Sequence, residues 1–215
     1  MTAPATGRPR DPAIDLAVRA ATLDVLREQG YSGFALERVA ALAGTTKAAV
    51  RRRWPVRQAL VLDALAAVLV VPPAPDNGCT RCDLQQCVRL LDHALHQQLP
   101  PGVLAPLVAD CAGDPELHRR LLDQLVEPSR RAAAVAVERA VARGDLLPDV
   151  PARTLVDVLA ATVYQRALLG GGPATEEEVV STVDLVLRGA AVDFDELVRI
   201  SRGPAHLRHP HGAQA

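Results

Sequence analysis

FALERVAALAGTTKAAVRRRW, running from Phe34 to Trp54, reads as two short helices joined by a tight turn. In the first, Leu36, Val39, Ala40 and Ala43 recur at i, i+3, i+4 and i+7 and make one apolar face. Gly44 ends it, because glycine takes the left-handed C′ conformation without a Cβ clash. Thr46 is placed to cap the second helix, its hydroxyl accepting from a backbone N–H that has no partner inside the helix. There Val50 and Trp54 lie one turn apart and pack inward, while Lys47, Ala48, Arg51 and Arg52 occupy the outer faces. A short helix with an anchored inner side and a basic outer side suits a DNA major groove, so this is a helix-turn-helix with its recognition helix second.

The longer run from Gly30 to Leu60, GYSGFALERVAALAGTTKAAVRRRWPVRQAL, resembles the DNA-binding domain of the TetR family of bacterial transcriptional repressors. The resemblance covers roughly residues 10–62 and includes the spacing of Gly30, Ala40, Gly44, Lys47, Trp54, Arg57 and Leu60. It implies DNA contacts from Arg38, Thr45, Thr46, Lys47, Ala48, Arg51 and Arg52, and a phosphate grip by Arg57. Three positions depart from the family pattern: Phe34 stands where a capping Thr or Ser is usual, Ala49 where a phosphate-contacting Thr is common, and Arg51 replaces a Tyr. An arginine at 51 binds phosphate through charge, which steepens the salt dependence.

Composition agrees with this division. The 215 residues are 49% hydrophobic but only 2% aromatic, so the core is built from Ala, Leu and Val, which favours helix packed on helix. The net charge of −1 hides an asymmetry: residues 1–62 carry ten basic and five acidic side chains, residues 63–215 fourteen and twenty. A basic end on an acidic body is expected of a DNA-contacting head joined to something that is not one. No stretch reaches the ~18 apolar residues of a membrane span, and no signal-peptide pattern opens the chain, so a cytoplasmic protein with free thiols is expected.

The expected fold is all-α, with about nine to ten helices. Residues 1–10 form a disordered basic arm, with Arg8 and Arg10 as candidate minor-groove contacts. Residues 11–55 form the helix-turn-helix domain, opened by Asp11-Pro12 as N-cap and N1, and residues 56–71 a connector helix, apolar nearly all round. Residues 72–202 form an all-helical body, with helices near 81–98, 102–112, 115–143, 152–169, 175–190 and 193–201. Thr80 is read as the cap of the first of these and Thr175 as the cap of the 175–190 helix, while Pro128 should kink or split the 115–143 helix. Residues 203–215, with His206, His209 and His211, read as a disordered tail. The region 144–190 resembles, more loosely, the regulatory domain of an actinobacterial-type branch of the family.

Catalytic signatures are missing: there is no nucleophile elbow, no Gly-rich phosphate loop and no HExxH, so an enzyme is not expected and no cofactor is implied. Cys79-x-x-Cys82 with Cys87 and His93 invites a zinc or redox reading, although the spacing fits no familiar zinc module. For a small-molecule effector the candidate contacts are His93, His96, Gln97, Cys111 and Tyr164, with Arg166 open to the same reading. A homodimer is expected because a palindromic site needs two recognition helices. The apolar stripes Leu155, Val158, Leu159, Thr162, Val163 and Val179, Val183, Leu187, Ala190 are assigned to its seam. The competing assignment packs those stripes inside one chain. The favoured reading is thus a ligand-responsive repressor binding double-stranded operator DNA. Its rivals are a thiol- or zinc-sensing regulator using Cys79, Cys82 and Cys87, and a small-molecule-binding bundle with a vestigial head.

Overall fold

The computed structural model describes residues 12–203. Arg8 and Arg10 of the expected arm, Asp11 of the first cap, and His206, His209 and His211 of the expected tail lie outside the described residues. Among the described residues the architecture is all-α and contains no strand. The head is α1 (Pro12–Gln29), α2 (Leu36–Leu42) and α3 (Lys47–Arg53). Helix α4 (Arg57–Val68) joins it to the body, made of α5 (Thr80–His93), α6 (Leu104–Cys111), α7 (Pro115–Leu121), α8 (Glu127–Ala142), α9 (Ala152–Leu169), α10 (Glu176–Ala190) and α11 (Phe194–Arg202). Two π-helical turns, Ala94–Gln98 and Leu122–Val126, follow α5 and α7.

Local chemistry accounts for most element ends. The Thr46 hydroxyl accepts from Ala49 N, a cap worth about 1 kcal/mol. Gly44 has φ +61°, as the turn requires. Asp114 accepts from Glu116 N and Leu117 N ahead of Pro115, and Thr175 and Glu178 complete a capping box. Pro128 has no N–H for the carbonyl of Gln124, and its ring would crowd that carbonyl in a regular helix. The chain widens into the π turn at Leu122–Val126 just before it, so the expected 115–143 helix is split.

In keeping with the departure at Phe34, the N-cap of α2 is Ala35, which makes no side-chain bond, and Phe34 is buried in the core. Three expectations are corrected here. The cap of α5 is Cys79, whose sulfur accepts from Cys82 N. Thr80 is instead buried and donates to Asp145 Oδ2 at 2.5 Å. Cys79 and Cys82 are joined in a disulfide rather than left as thiols. In the first turn of a helix, residues three apart share a face, which brings their Cα atoms to 5.2 Å, inside the span a disulfide bridges. Finally, the connector helix stops at Val68, and the proline-rich stretch that follows is irregular.

Helix α4 is buried on nearly every side, with Leu60, Val61, Leu62, Ala64 and Leu65 fully inside. At roughly 1.5–3 kcal/mol per buried Leu or Val, this burial makes head and body one cooperative core. Two carboxylates finish the joint. Asp110, on α6, accepts at Oδ2 from the Tyr31 hydroxyl at 2.6 Å, from Arg57 Nη2 at 2.9 Å and from Gln58 Nε2 at 2.9 Å. Asp63, on α4, accepts from Trp54, Arg120 and Gln124. The Tyr31 hydrogen bond first, then Arg57, holds the Asp110 carboxyl below its usual range. Burial pushes the Asp63 carboxyl up, but bonds from Trp54, Arg120 and Gln124 outweigh it and the net direction is down. A carboxyl depressed in the folded state adds stability above its unfolded pKa, and that contribution fades as pH falls through the folded value. Melting temperature should therefore drop below about pH 4, the ordinary carboxylate value. The Asp63→Asn and Asp110→Asn variants should melt lower than the parent at pH 7, with the difference shrinking as pH falls. A difference that stayed constant down the acid limb, measured by circular dichroism, would refute this linkage.

Candidate nucleic-acid interface and effector cavity

The inner residues of α3, Val50 and Trp54, are buried, and the outer ones are not. Thr46, Ala48, Arg51 and Arg52 are exposed on one surface with Arg38 from α2; Thr45 and Lys47 are half-exposed beside them. The expected DNA-facing residues are thus brought together, apart from Arg57. Lys47 pairs with Glu37 and Arg38 with Glu28, both at the surface, where such pairs hold weakly and yield to phosphate. Arg53 is different. Its side chain is only 11% exposed and its Nε lies 2.6 Å from Asp15 Oδ1, so it ties the recognition helix to α1.

Arg57 stands at the first position of α4, over the Tyr31 ring with 4.9 Å to its centroid, and is engaged by Asp110. Burial first, and then the Asp110 hydrogen bond, push the Tyr31 phenol up, so it remains a donor. The arginine keeps 41% of its side chain exposed, enough to meet a phosphate at the edge of the head. The sequence could not pair it, because Asp110 lies 53 positions away.

The body holds an apolar cavity of ≈ 80 Å³ between the stretch Leu69–Pro75, α5, the π turn Leu122–Val126, α8 and α9. Leu91, Leu95, Leu125, Val126, Val156 and Leu159 form much of its wall, and Ala132, Ala133 and Ala160 leave the space open. Of the expected effector contacts, Tyr164 lines it. The others are placed elsewhere. His93 and Gln97 are exposed, on helical faces turned to solvent. His96 has its Nδ1 3.1 Å from Asp92 Oδ1, and the same carboxylate oxygen accepts from Ala174 N. Cys111 is fully buried beside Asp110, where burial first and that carboxylate second raise its thiol. Arg166 closes the α9–α10 loop by donating to the carbonyls of Gly171, Gly172 and Pro173. The alanines on α8 and the prolines after α4 were the sequence signal for the cavity. Small residues and backbone without helix leave room that Leu would fill.

Polar groups in the cavity are few. Arg130 is neutralised by Asp157 at 2.6 Å and Glu127 at 3.1 Å. Ser129 donates to Val126 O, and the neighbouring Tyr164 hydroxyl is buried without a hydrogen bond of good geometry. Burial raises its phenol, keeping it protonated and able to donate. Cys87 also lines the cavity, its thiol pushed up to about 12 by burial first and by Asp83 second, which keeps it protonated at neutral pH. With Cys79 and Cys82 bonded to each other and His93 facing solvent, the ligand set imagined for zinc is not assembled.

The assignment of the dimer stripes is corrected. Leu155, Leu159, Val163, Val179, Val183, Leu187 and Ala190 are all buried within the single chain. Only Val158 and Thr162 of the nine face out. The more apolar stripe of each helix covers its own core, which leaves a second stripe outside: Val158, Thr162, Gln165 and Leu169 on α9, and Ser181, Leu185, Gly189 and Val192 in and after α10.

An exposed basic helix behind a capped tight turn, mounted on a helical body, defines a helix-turn-helix DNA-binding regulator. Residues 18–64 match the family described as bacterial regulatory proteins, tetR family, and residues 74–186 match the tetracyclin repressor-like C-terminal domain. The chain belongs to the TetR family of transcriptional regulators and is not an enzyme. A DNA-binding transcriptional repressor TetR of Mycobacteroides abscessus is 32% identical over 173 residues, 80% of this chain and 90% of that one. An uncharacterized HTH-type transcriptional regulator of Mycobacterium tuberculosis is 29% identical over 185 residues, 84% and 91% of the two chains. The crystal structure of the TetR family regulator SCO0332 superposes with a TM-score of 0.64 at 29% identity, covering 82% of this chain and 97% of that one.

If Arg57 supplies one phosphate contact, Arg57→Ala should weaken binding to all DNA sequences alike and lower the salt slope by about one unit. Asp110→Asn, which leaves that arginine without its acidic competitor, should tighten binding to every sequence. Lys47 and Ala48 variants should instead change which sequence is selected. Fluorescence anisotropy across a salt series checks all three, and an unchanged slope in Arg57→Ala would remove that residue from the interface.

Proposed function

We propose that this protein is a homodimeric repressor that leaves a pseudo-palindromic operator when a small molecule enters the body. The observation that carries the reading is the pairing of an exposed basic recognition helix with a nearly unpolar cavity built into the same chain. One chain presents one recognition helix, and a palindrome needs two, related by a two-fold axis. The outer stripe of α9 and α10 offers the seam: Val158, Leu169, Leu185 and Val192 are 50–75% exposed, a concentration that a soluble monomer rarely leaves in water. Gly189 lets a partner helix approach closely there.

The chemistry of the walls also narrows the effector. With Arg130 already paired, a charged ligand would be desolvated without gaining a counter-ion. A neutral, largely apolar molecule loses nothing and can accept one hydrogen bond from Tyr164. Its binding moves DNA affinity only if it favours the conformation that does not bind DNA.

Two measurements test this reading. Leu185→Glu should give a folded monomer by light scattering with at least tenfold weaker binding to the DNA flanking its own gene, a loss of about 1.4 kcal/mol or more. Leu187→Glu should fail to fold, since a carboxylate buried in that core costs several kcal/mol. A dimeric mass for a well-folded Leu185→Glu would sink the proposed seam. The neutral dye Nile red should bind the parent, release it from DNA, and bind Ala133→Phe poorly; dye bound without any loss of DNA affinity would sink the effector mechanism.

A further inference from the structure

Trp54 is the single tryptophan of the chain and the C-cap of the recognition helix. Its indole Nε1 donates to Asp63 Oδ2 at 2.6 Å. The other oxygen, Oδ1, accepts from Arg120 Nη2 at 2.5 Å and from Gln124 Nε2 at 3.2 Å. A single carboxylate, 24% exposed between the buried Leu62 and Ala64, therefore joins the end of α3 to α7 and to the π turn. Gln124 belongs to that turn, and the next two residues, Leu125 and Val126, are wall of the cavity. The contacts run unbroken from cavity to recognition helix. A π turn is a local departure from α winding held in place by its surroundings, and such turns recur at functional sites.

We infer that Asp63 is a positioning residue for the recognition helix, and that the π turn Leu122–Val126 controls it according to whether the cavity is filled. Pressing on Leu125 and Val126 re-aims Gln124 on the same turn. Asp63 then loses one anchor on Oδ1, and Trp54, bonded to Oδ2, shifts with it. The recognition helix is thereby moved at its C-terminal end without any change in its own residues. The inference rests on the cavity being the effector site, and the carboxyl is held ionised by the three donors around it.

Trp54 emission reads this directly and requires neither effector nor operator. Ala133→Phe places a ring in the cavity from α8, and Ala160→Phe does so from α9 should the first variant not fold. Each is combined with Gln124→Leu, which keeps side-chain bulk but cannot donate to Asp63. The ring should shift Trp54 emission and change affinity for the DNA flanking the gene at least about fivefold with Gln124 present. With Leu at 124 the emission should stay put and the affinity should change less than about twofold. Asp63→Asn should shift Trp54 emission by itself. A merely structural Asp63 predicts additive effects, with the ring shifting Trp54 equally in both backgrounds; that result, or an unmoved Trp54 in folded ring variants, overturns the inference. Nile red separates the two readings. If it fails to bind but the cycle is non-additive, the relay stands and the effector proposal falls; if it binds and the cycle is additive, the relay falls.

Discussion

Helix α4 packs against head and body at once, within one continuous core, and the remaining geometry follows from that. Leu60, Leu62 and Leu65 have no exposed surface, so one side of the helix completes the head and the other completes the body. Close-packed interiors do not stretch; a displacement on one side is passed on as a displacement on the other. The head cannot swivel freely, and the recognition helix is aimed by whatever α4 rests against.

Two carboxylates at the edges of this core make the aim specific. Asp110 collects Tyr31, Arg57 and Gln58 onto α6, and Asp63 collects Trp54, Arg120 and Gln124 across α4. The donors to Asp63 come from three elements, the end of α3, α7 and the π turn, and those to Asp110 from two places, Tyr31 and the first turn of α4, so each carboxylate fixes more than one relative position with one group. Partly buried polar networks of this kind carry a desolvation cost, and they are strongest in the arrangement that satisfies every member. They are therefore better suited than apolar contacts to distinguishing one head position from another.

The body shows the opposite design. Its cavity is bounded in three places by backbone that is not α-helical: the proline-rich stretch after α4, the π turn after α5 and the π turn before Pro128. Alanines on α8 and α9 keep it from closing. Small side chains and irregular backbone cost packing energy, which a bound apolar molecule would restore.

What the chain determined by itself was local. Gly44 and Thr46 make the turn, Val50 and Trp54 choose the inner face of α3, Pro128 breaks its helix, and Thr175 with Glu178 starts α10; each acts within four residues, where spacing alone fixes who meets whom. Tertiary structure decided what depends on partners distant in sequence. Helices α9 and α10 each carry two stripes with apolar residues, and nothing in the spacing tells which one faces the core; packing against α5 and α8 buried Leu159 and Leu187 and left Val158 and Leu185 outside. Arg57 reads as a free cation until Asp110 arrives from α6, and Asp63 reads as a stray charge in an apolar helix until Trp54 and Arg120 close on it. His93, His96 and Gln97, one turn apart on a helix that the family resemblance places beside the effector, read as pocket residues, but the cavity lies along the alanine faces instead, since a void opens where side chains are short.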